Sequence, residues 1–451
     1  MKKLIISCGL FCLCLCIQAQ KKWTLRECVD YAVENNIELR QQAINVKKTE
    51  IDLSTSKNSR LPNLNASLGQ SFSFGQSLDY STGTYQSNNA AGTDFRIGTS
   101  VPLFTGFKIT NQIKVDELNL QAATEGLRKA KENLELQVVS LYLDVLFKKE
   151  ILRAYHEQAD LSKLQVERTE ILVESGKVAA SQLYDIKAQQ AKDDLNITIG
   201  VNDLALSLLN LSQSLNLPDI NDFDIQEPKS EDVVTDNLSS VIPPDQVYKL
   251  SLGSKPHVKE AEFKLESTRK ALKVAQSGYW PTLDLDMSYS TGYTHVYGKE
   301  YADDAEKDRT RFSNQLRNNE RKYIGFSLNI PIFNRFQTRN SVRTARLNIE
   351  NQSLVLDNVK LALYKEIQQA YQSAVGAHAT YISTGKAETA SEISLKYAQE
   401  RYDIGKSTAF EFSEAKTKLL ASRSERIRAK YDFIFRAKIL DFYQGKPIDV
   451  E

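Results

Sequence analysis

The sequence predicts a mainly α-helical chain with a small β component, written twice over. Two proline-free spans, Leu103–Leu217 and Ile332–Lys446, are each 115 residues long. Proline costs a helix interior about 3 kcal/mol, so equal spans without it point to two matching helical regions. Before each span lie paired stretches of strict apolar–polar alternation, the period of a half-buried strand. Landmarks then recur in order. Arg60-Leu61-Pro62-Asn63-Leu64 matches Tyr279-Trp280-Pro281-Thr282-Leu283 at an offset of 219. Val101-Pro102-Leu103-Phe104-Thr105-Gly106-Phe107 matches Ile330-Pro331-Ile332-Phe333-Asn334-Arg335-Phe336 at 229, and Gly176-Lys177 matches Gly405-Lys406 at 229. A period above 200 residues is a duplication rather than a short solenoid repeat.

The chain opens with Lys2 and Lys3, an apolar run from Leu4 to Ile17, and Ile17-Gln18-Ala19-Gln20. This reads as a secretory signal peptide over 1–20, cleaved after Ala19 or Gln20. The run before Cys8 is too short for the lipoprotein site that Ile5-Ile6-Ser7-Cys8 faintly resembles. Four of the five cysteines fall in the leader, leaving Cys28, so the mature chain has no intramolecular disulfide and no multi-cysteine metal site. Elsewhere there is no run of 18 apolar residues. A membrane-spanning reading therefore requires a β-barrel.

The first repeat covers 21–217. Thr24 is a candidate N-cap for a helix over Leu25–Leu39. Strands follow over about 64–78 and 95–103. Leu64, Ala66, Leu68, Phe72 and Phe74 share one face, and Asn65, Ser67, Gly69, Ser71 and Ser73 the other. Next come the long helix, a turn at Gly176 and a returning helix over Ala180–Leu215. Leu134, Val138, Leu141, Val145 and Leu152 fall at helical spacing. An acidic connector, 218–244, joins the halves. The second repeat, 245–451, has Asp245 as candidate cap of a helix over Gln246–Ala261. Its strands are predicted at about 283–293 and 323–331, and its helical hairpin has its tip near Gly405. The ten extra residues between Pro281 and Pro331 are assigned to a loop around Gly298–Arg321. From Phe107 to Gly176 and from Phe336 to Gly405 is 69 residues each, about 100 Å of continuous helix. That length suits a coiled coil or a tube.

Strands of 9–11 residues with small or acidic polar faces fit a tilted transmembrane strand with a wet lumen. They equally fit an antiparallel sheet with one solvated face. Four strands cannot close a barrel, so the barrel reading requires other copies.

Composition narrows the function. Lys plus Arg is 58 and Asp plus Glu 57, a net charge of +1 that becomes −1 without the leader. Nucleic-acid binding is disfavoured. His156, His257, His295 and His378 form no ligand motif, and the segment Gly292 to Gly298-Lys299 is not a phosphate loop. No nucleophile elbow or cofactor fingerprint is present, so no catalytic residue, metal or cofactor is predicted. Two classes can be weighed against a membrane barrel. A periplasmic coiled-coil adaptor or structural protein would carry one hairpin between β-rich modules. An exported hydrolase would need a catalytic constellation.

The arrangement resembles the TolC-like outer membrane efflux protein family. The resemblance rests on Trp23-Thr24-Leu25 through Ala32 with Asn35-Asn36, on Leu61-Pro62-Asn63-Leu64 and Trp280-Pro281-Thr282-Leu283, and on the two tips. The second tip reads Arg401-Tyr402-Asp403-Ile404-Gly405-Lys406-Ser407, followed by Glu411 to Ala415. The first reads Val173-Glu174-Ser175-Gly176-Lys177. The resemblance implies a homotrimer with a 12-stranded outer-membrane barrel in lipid and a periplasmic α-helical tunnel. It implies a passive exit duct for small molecules or proteins, in tripartite efflux or type I secretion. A periplasmic adaptor protein would meet the helical tips and couple the duct to an inner-membrane transporter.

The same resemblance implies site residues. Glu411 and Glu414, six and nine positions after the second tip glycine, would form carboxylate rings at the periplasmic entrance. Such rings favour cations, and crowding would raise some carboxylate pKa values. Tyr402 matches a position that holds the entrance closed. Asp185 and Gln182 are the first-half equivalents, and Gln182 departs from the acidic pattern. The adaptor-contact tips are Gly176, Lys177 and Ser181 with Gly405, Lys406 and Ser407. Asp284 and Asp286 would line the barrel lumen. Without the resemblance, Glu411 and Glu414 read as a solvated helix face.

Overall fold

The computed structural model describes residues 22–79, 83–87, 89–218, 223–227, 242–298 and 303–446. The leader and most of the acidic connector lie outside these residues. The chain falls into two compact units. One gathers 1–45, 124–259 and 357–451; the other gathers 46–123 and 260–356. Each unit thus draws on both repeats.

The elements follow the duplication. The first repeat runs β1 (Lys22–Trp23), α1 (Leu25–Asn35), α2 (Ile37–Asn58), β2 (Asn65–Ser73), β3 (Gln76–Asp79), β4 (Thr84–Ser87), β5 (Ala90–Phe104), α3 (Lys108–Glu174) and α4 (Ala180–Ser214). Strand β6 (Asp224–Ile225) lies in the connector. The second repeat runs α5 (Pro244–Ser254), α6 (Pro256–Gln276), β7 (Thr282–Val296), α7 (Asp304–Arg309), α8 (Phe312–Asn318), β8 (Arg321–Asn329), α9 (Gln337–Asp403) and α10 (Ala409–Tyr443). Helices α3 and α9 are 67 residues each, and α4 and α10 are 35 each.

Several sequence expectations are corrected by the fold. The helix predicted over 25–39 breaks at Asn36, whose extended backbone starts a second helix. The helix over 246–261 breaks at Lys255, because the residue before Pro256 is driven out of the helical region. Thr24 does cap α1, in a reciprocal capping box with Glu27. Asp245 is not a cap. Pro243 takes that position and Pro244 the first helical one, where its missing N–H costs nothing. The carboxylate of Asp245 instead accepts from Tyr364 Oη at 2.8 Å. The first strand is interrupted after Ser73, near Gly75 at φ +149°. The loop near 298–321 holds two short helices, α7 and α8.

In the first unit the core forms where α1, α3 and α4 meet. Leu25, Cys28 and Ala32 pack on Val138, Val139, Tyr142, Val145, Leu146, Leu211 and Leu215. These α3 positions repeat the 3–4 spacing seen in the sequence. Parallel pairing of β1 with β6 pins the connector here. Asp224 accepts from Lys149 at 2.5 Å, and Tyr142 Oη donates to the Gln226 carbonyl at 2.6 Å. Burial pushes the Cys28 thiol up to about 12, so it is an inert core residue.

The second unit contains one antiparallel sheet, in the order β2-β5-β7-β8. Its register makes two chemically distinct faces. Rows such as Val101–Leu285–Phe326 and Thr99–Met287–Ile324 lie on one face. On the other lie Ser100–Asp286–Gly325 and Pro102–Asp284–Ser327. Among the described residues this apolar face is largely uncovered: Leu68, Ile324 and Phe326 are 67, 73 and 70% exposed. Among the described residues, strands β2 and β8 are open edges.

The strand-to-helix corners repeat. Gly106 and Phe107 have φ of +61° and +65°; their counterparts Arg335 and Phe336 have +53° and +61°. Phe104 packs edge-on against Phe107 at 5.4 Å, as Phe333 does against Phe336. A Cβ at Gly106 would lie 2.7 Å from Trp280 Cβ and 2.8 Å from the Ser277 carbonyl oxygen, so only glycine fits.

Candidate functional site: the hairpin tips and the strand faces

Both tips are closed by the same backbone device. Gly176 has φ +73°, its N–H donates to the Val173 carbonyl, and Lys177 N–H donates to that of Leu172. Gly405 has φ +72°, with Gly405 N–H on Tyr402 and Lys406 N–H on Arg401. This 5→2, 6→1 pair satisfies helix-end carbonyls and requires the left-handed conformation. A Cβ added at either glycine would meet no atom within 4 Å, so the conformation alone demands glycine. Gly405→Ala is expected to cost about 1–2 kcal/mol at the tip. The check is hydrogen exchange: amides near 400–410 should exchange faster, with those of the sheet unchanged.

The returning helices start differently. Thr408 caps α10, accepting from Glu411 N–H at 3.2 Å, whereas Ala179 before α4 makes no side-chain cap. Ser407 Oγ donates to the Glu411 carboxylate, and Arg401 lies 3.8 Å from it. The Ser407 hydrogen bond, then that of the Thr408 backbone, hold the Glu411 carboxyl below its usual range. Within one chain this runs opposite to the upward shift expected from crowding. Glu414 and Asp185 are exposed. Ser181 and Lys177 are exposed as well; at the first tip Ser175 Oγ donates to the Leu172 carbonyl at 3.0 Å, where at the second Ser407 bonds Glu411.

Tyr402 is buried. Its ring stacks on Phe412 at 5.5 Å and its hydroxyl lies 3.5 Å from Thr169 Oγ1 on α3. Val166, Ile186, Leu395, Ala409 and Phe412 complete this cluster, which joins the two hairpins near their tips. Arg168 and Asp403 add an ion pair at 2.7 Å between them.

Sequence reasoning missed the most buried charge of this region. Lys416 on α10, Asp193 on α4 and Ser162 on α3 are each 2% exposed. Lys416 Nζ reaches Asp193 Oδ2 at 3.1 Å and donates to Ser162, whose hydroxyl donates to the same carboxylate. Gln189 donates to the other carboxylate oxygen at 3.1 Å. Burial pulls the Lys416 ammonium down from its usual range, against the charge of Asp193. On α3 the buried polar residues are Gln158, Ser162, Gln165 and Thr169. Their 4-3-4 spacing is that of a core seam, the one sequence signal that marks it. The amide nitrogens of Gln158 and Gln165 have no partner in this seam.

Asp284 and Asp286 lie on the polar face of the sheet, beside Pro102 and Ser327 and beside Ser100 and Gly325. Among the described residues no helix is long and apolar enough to cross a membrane, and no group of His, Cys, Asp or Glu is placed to hold a metal.

These features coincide with known proteins. The chain matches the sequence model of the family described as outer membrane efflux protein over residues 28–217 and 247–440, one match per repeat. It is 20% identical to the outer membrane efflux protein BepC of Brucella suis biovar 1, over 92% of this chain and 84% of BepC. It is 22% identical to the outer membrane protein TolC of Escherichia coli K12, over 89% of this chain and 78% of TolC. Among solved structures, the CmeC outer membrane channel of Campylobacter jejuni superposes with a TM-score of 0.74 at 18% identity, covering 93% of this chain and 85% of CmeC. The fold is therefore that of an efflux channel rather than a periplasmic adaptor, and the work of the molecule is passage rather than turnover. The chain belongs to the outer membrane efflux protein family: it is a passive exit duct, seated in the outer membrane and reaching into the periplasm.

Proposed function

We propose that three copies close one duct, each giving four strands to a 12-stranded barrel and two hairpins to a periplasmic tunnel. The sheet carries this reading. Its uncovered apolar face suits lipid, its opposite face suits water, and its open edges β2 and β8 must be paired inside a bilayer. Pairing β2 of one copy with β8 of the next satisfies both.

The tunnel is proposed to open and close at the tips. Glu414 and Glu411 project from the first turns of α10, and Asp185 from α4. Tyr402, packed against Thr169, holds the second hairpin to the first. Three copies place these carboxylates in rings that attract cations. The glycine turns, with Lys177, Ser181, Lys406 and Ser407, are the surface for a periplasmic adaptor. An inner-membrane transporter supplies energy through that adaptor and decides which small molecules or proteins are exported. Asp284 and Asp286 face the barrel lumen.

Planar-bilayer recording of the purified mature chain tests this. Wild type is expected to give small, cation-preferring channels, and Glu411→Ala with Glu414→Ala to lose that preference. Unchanged selectivity would remove the two carboxylates from the path. Silence from well-folded protein even after removal of the tips would overturn the three-copy duct.

A further inference from the structure

The polar face of the sheet carries a second charged level, opposite in sign to the Asp284 and Asp286 level. Strand register places Ser67, Arg96, Ser290 and Arg321 in one row across all four strands. Arg96 and Arg321 sit on β5 and β8, two strand spacings apart, about 10 Å between backbones. Both are exposed. Arg96 leans along the polar face, with its Nε 3.9 Å from a Cβ position at Gly98.

Other charges flank this row. Asp94 lies two residues along β5 on the same face, beside Gly69 and Gly292. Glu320 and Lys322 are on the opposite face, where Lys322 pairs in register with Tyr289. There Glu320 meets the Tyr289 phenol and lies 3.6 Å from Lys322. Each copy therefore sets two guanidiniums against one carboxylate at this level of the polar face.

The two levels are separated along the duct. Asp284 and Asp286 are at the end of β7 that follows α6; Ser290, in the Arg row, is four residues beyond Asp286. At 3.3 Å per residue that is about 13 Å. The Arg row is nearer the turn end of the sheet, away from the end of β7 that follows α6.

We propose that Arg96 and Arg321 form an anion-binding ring in the outer half of the barrel, taking carboxylate- or phosphate-bearing solutes on their way out. The inference rests on the three-copy duct, which turns the pair into six guanidiniums around one axis. Arginine presents a planar fork that matches carboxylate and phosphate oxygens. Rings of arginine in a narrow, water-filled pore select anions. The acidic level and the basic level then act in series, so a solute carrying both charges meets a complementary group at each.

Calorimetric titration of the detergent-purified full chain with tripolyphosphate at about 0.1 M salt tests the ring, after light scattering has fixed the oligomeric state. The trimer is expected to bind the probe. Arg96→Ser with Arg321→Ser should weaken binding at least tenfold, and Lys322→Ser, on the other face, should leave it unchanged. Lumen-facing changes of this kind alter selectivity rather than folding. A trimer that does not bind, or that binds equally in the double variant, overturns the ring and leaves the duct intact. Absence of a trimer overturns the duct reading, and the ring with it.

Discussion

Lys416→Met should lower the stability of the helical hairpins by about 3–5 kcal/mol, the cost of leaving Asp193 charged and unpaired in a buried site. Both groups are 2% exposed, so neither can recover solvent without local opening. Ser162 and Gln189 already bond the Asp193 carboxylate and cannot replace the lost positive charge. Lys416→Met combined with Asp193→Leu should recover most of the loss, because a buried pair replaced by apolar groups of similar volume is near neutral. Denaturation of the single and double variants, followed by far-ultraviolet circular dichroism, checks this. The exposed pair of Arg423 with Glu157, at 2.7 Å, provides the contrast. Its removal should cost under about 1 kcal/mol. A Lys416→Met variant as stable as the Arg423→Ala variant would refute the assignment of a buried charge.

Ile324→Lys should lower the stability of the proposed membrane-inserted barrel by about 2–4 kcal/mol, whereas Ser288→Lys should have a small effect. The two positions are close in the sheet. Ile324 pairs with Met287, and the next row pairs Ser288 with Tyr323. They differ in which face their side chains take. Ile324 is on the apolar face, which the proposed barrel turns to lipid. Ser288 shares the opposite face with Asp284 and Asp286. The measurement is the fraction of chain recovered as heat-resistant trimer in outer-membrane preparations, with thermal unfolding in detergent micelles as a second reading. Equal losses from both substitutions would mean that the faces are not separated into lipid and water.

Most of this architecture was legible because its elements are long. A proline-free span of 115 residues leaves little besides helix, and the observed α3–α4 and α9–α10 hairpins fill those spans. Period-2 alternation identified both strand pairs, since each strand has one apolar face. The tip glycines were legible because positive φ leaves a residue mark. The breaks at Asn36 and Lys255 were less so. Helical periodicity continues through them, and only Pro256 signals one of the two. Helices α7 and α8 were hidden in a charged stretch without periodicity. The structure explains them by their neighbours: Gln315 donates to the Thr294 carbonyl and accepts from its N–H, both at 2.9 Å, and Asn319 donates to that of Gly292 at 2.8 Å. Helix α8 and its cap thus bond the backbone of β7 beyond Ser290, where β8 no longer pairs with it, and α7 is held in turn by α8, whose Asn314 donates to the Asp308 carbonyl at 2.7 Å.

The candidate site was legible only in part. Glycine, lysine and carboxylate positions at the tips could be named from their spacing to each turn. The partners of those groups could not. That Glu411 is engaged by Ser407 and Arg401, or that Tyr402 stacks on Phe412, depends on how the second tip folds back on itself, and that Tyr402 also meets Thr169 depends on how two hairpins distant in sequence are packed. The Lys416–Asp193 pair spans 223 residues of sequence, and each residue alone reads as an ordinary solvated charge.

The open edges of β2 and β8 also set a kinetic problem for the cell. A single copy leaves its apolar sheet face and two rows of backbone groups unsatisfied, so the lone subunit has no resting place in either water or lipid. If three copies close the ring, the folded population scales steeply with subunit concentration. Supply would then outweigh intrinsic stability in deciding how many ducts form. Newly exported chains would depend on escorts until they meet, and modest changes in synthesis rate would act as a threshold on export capacity.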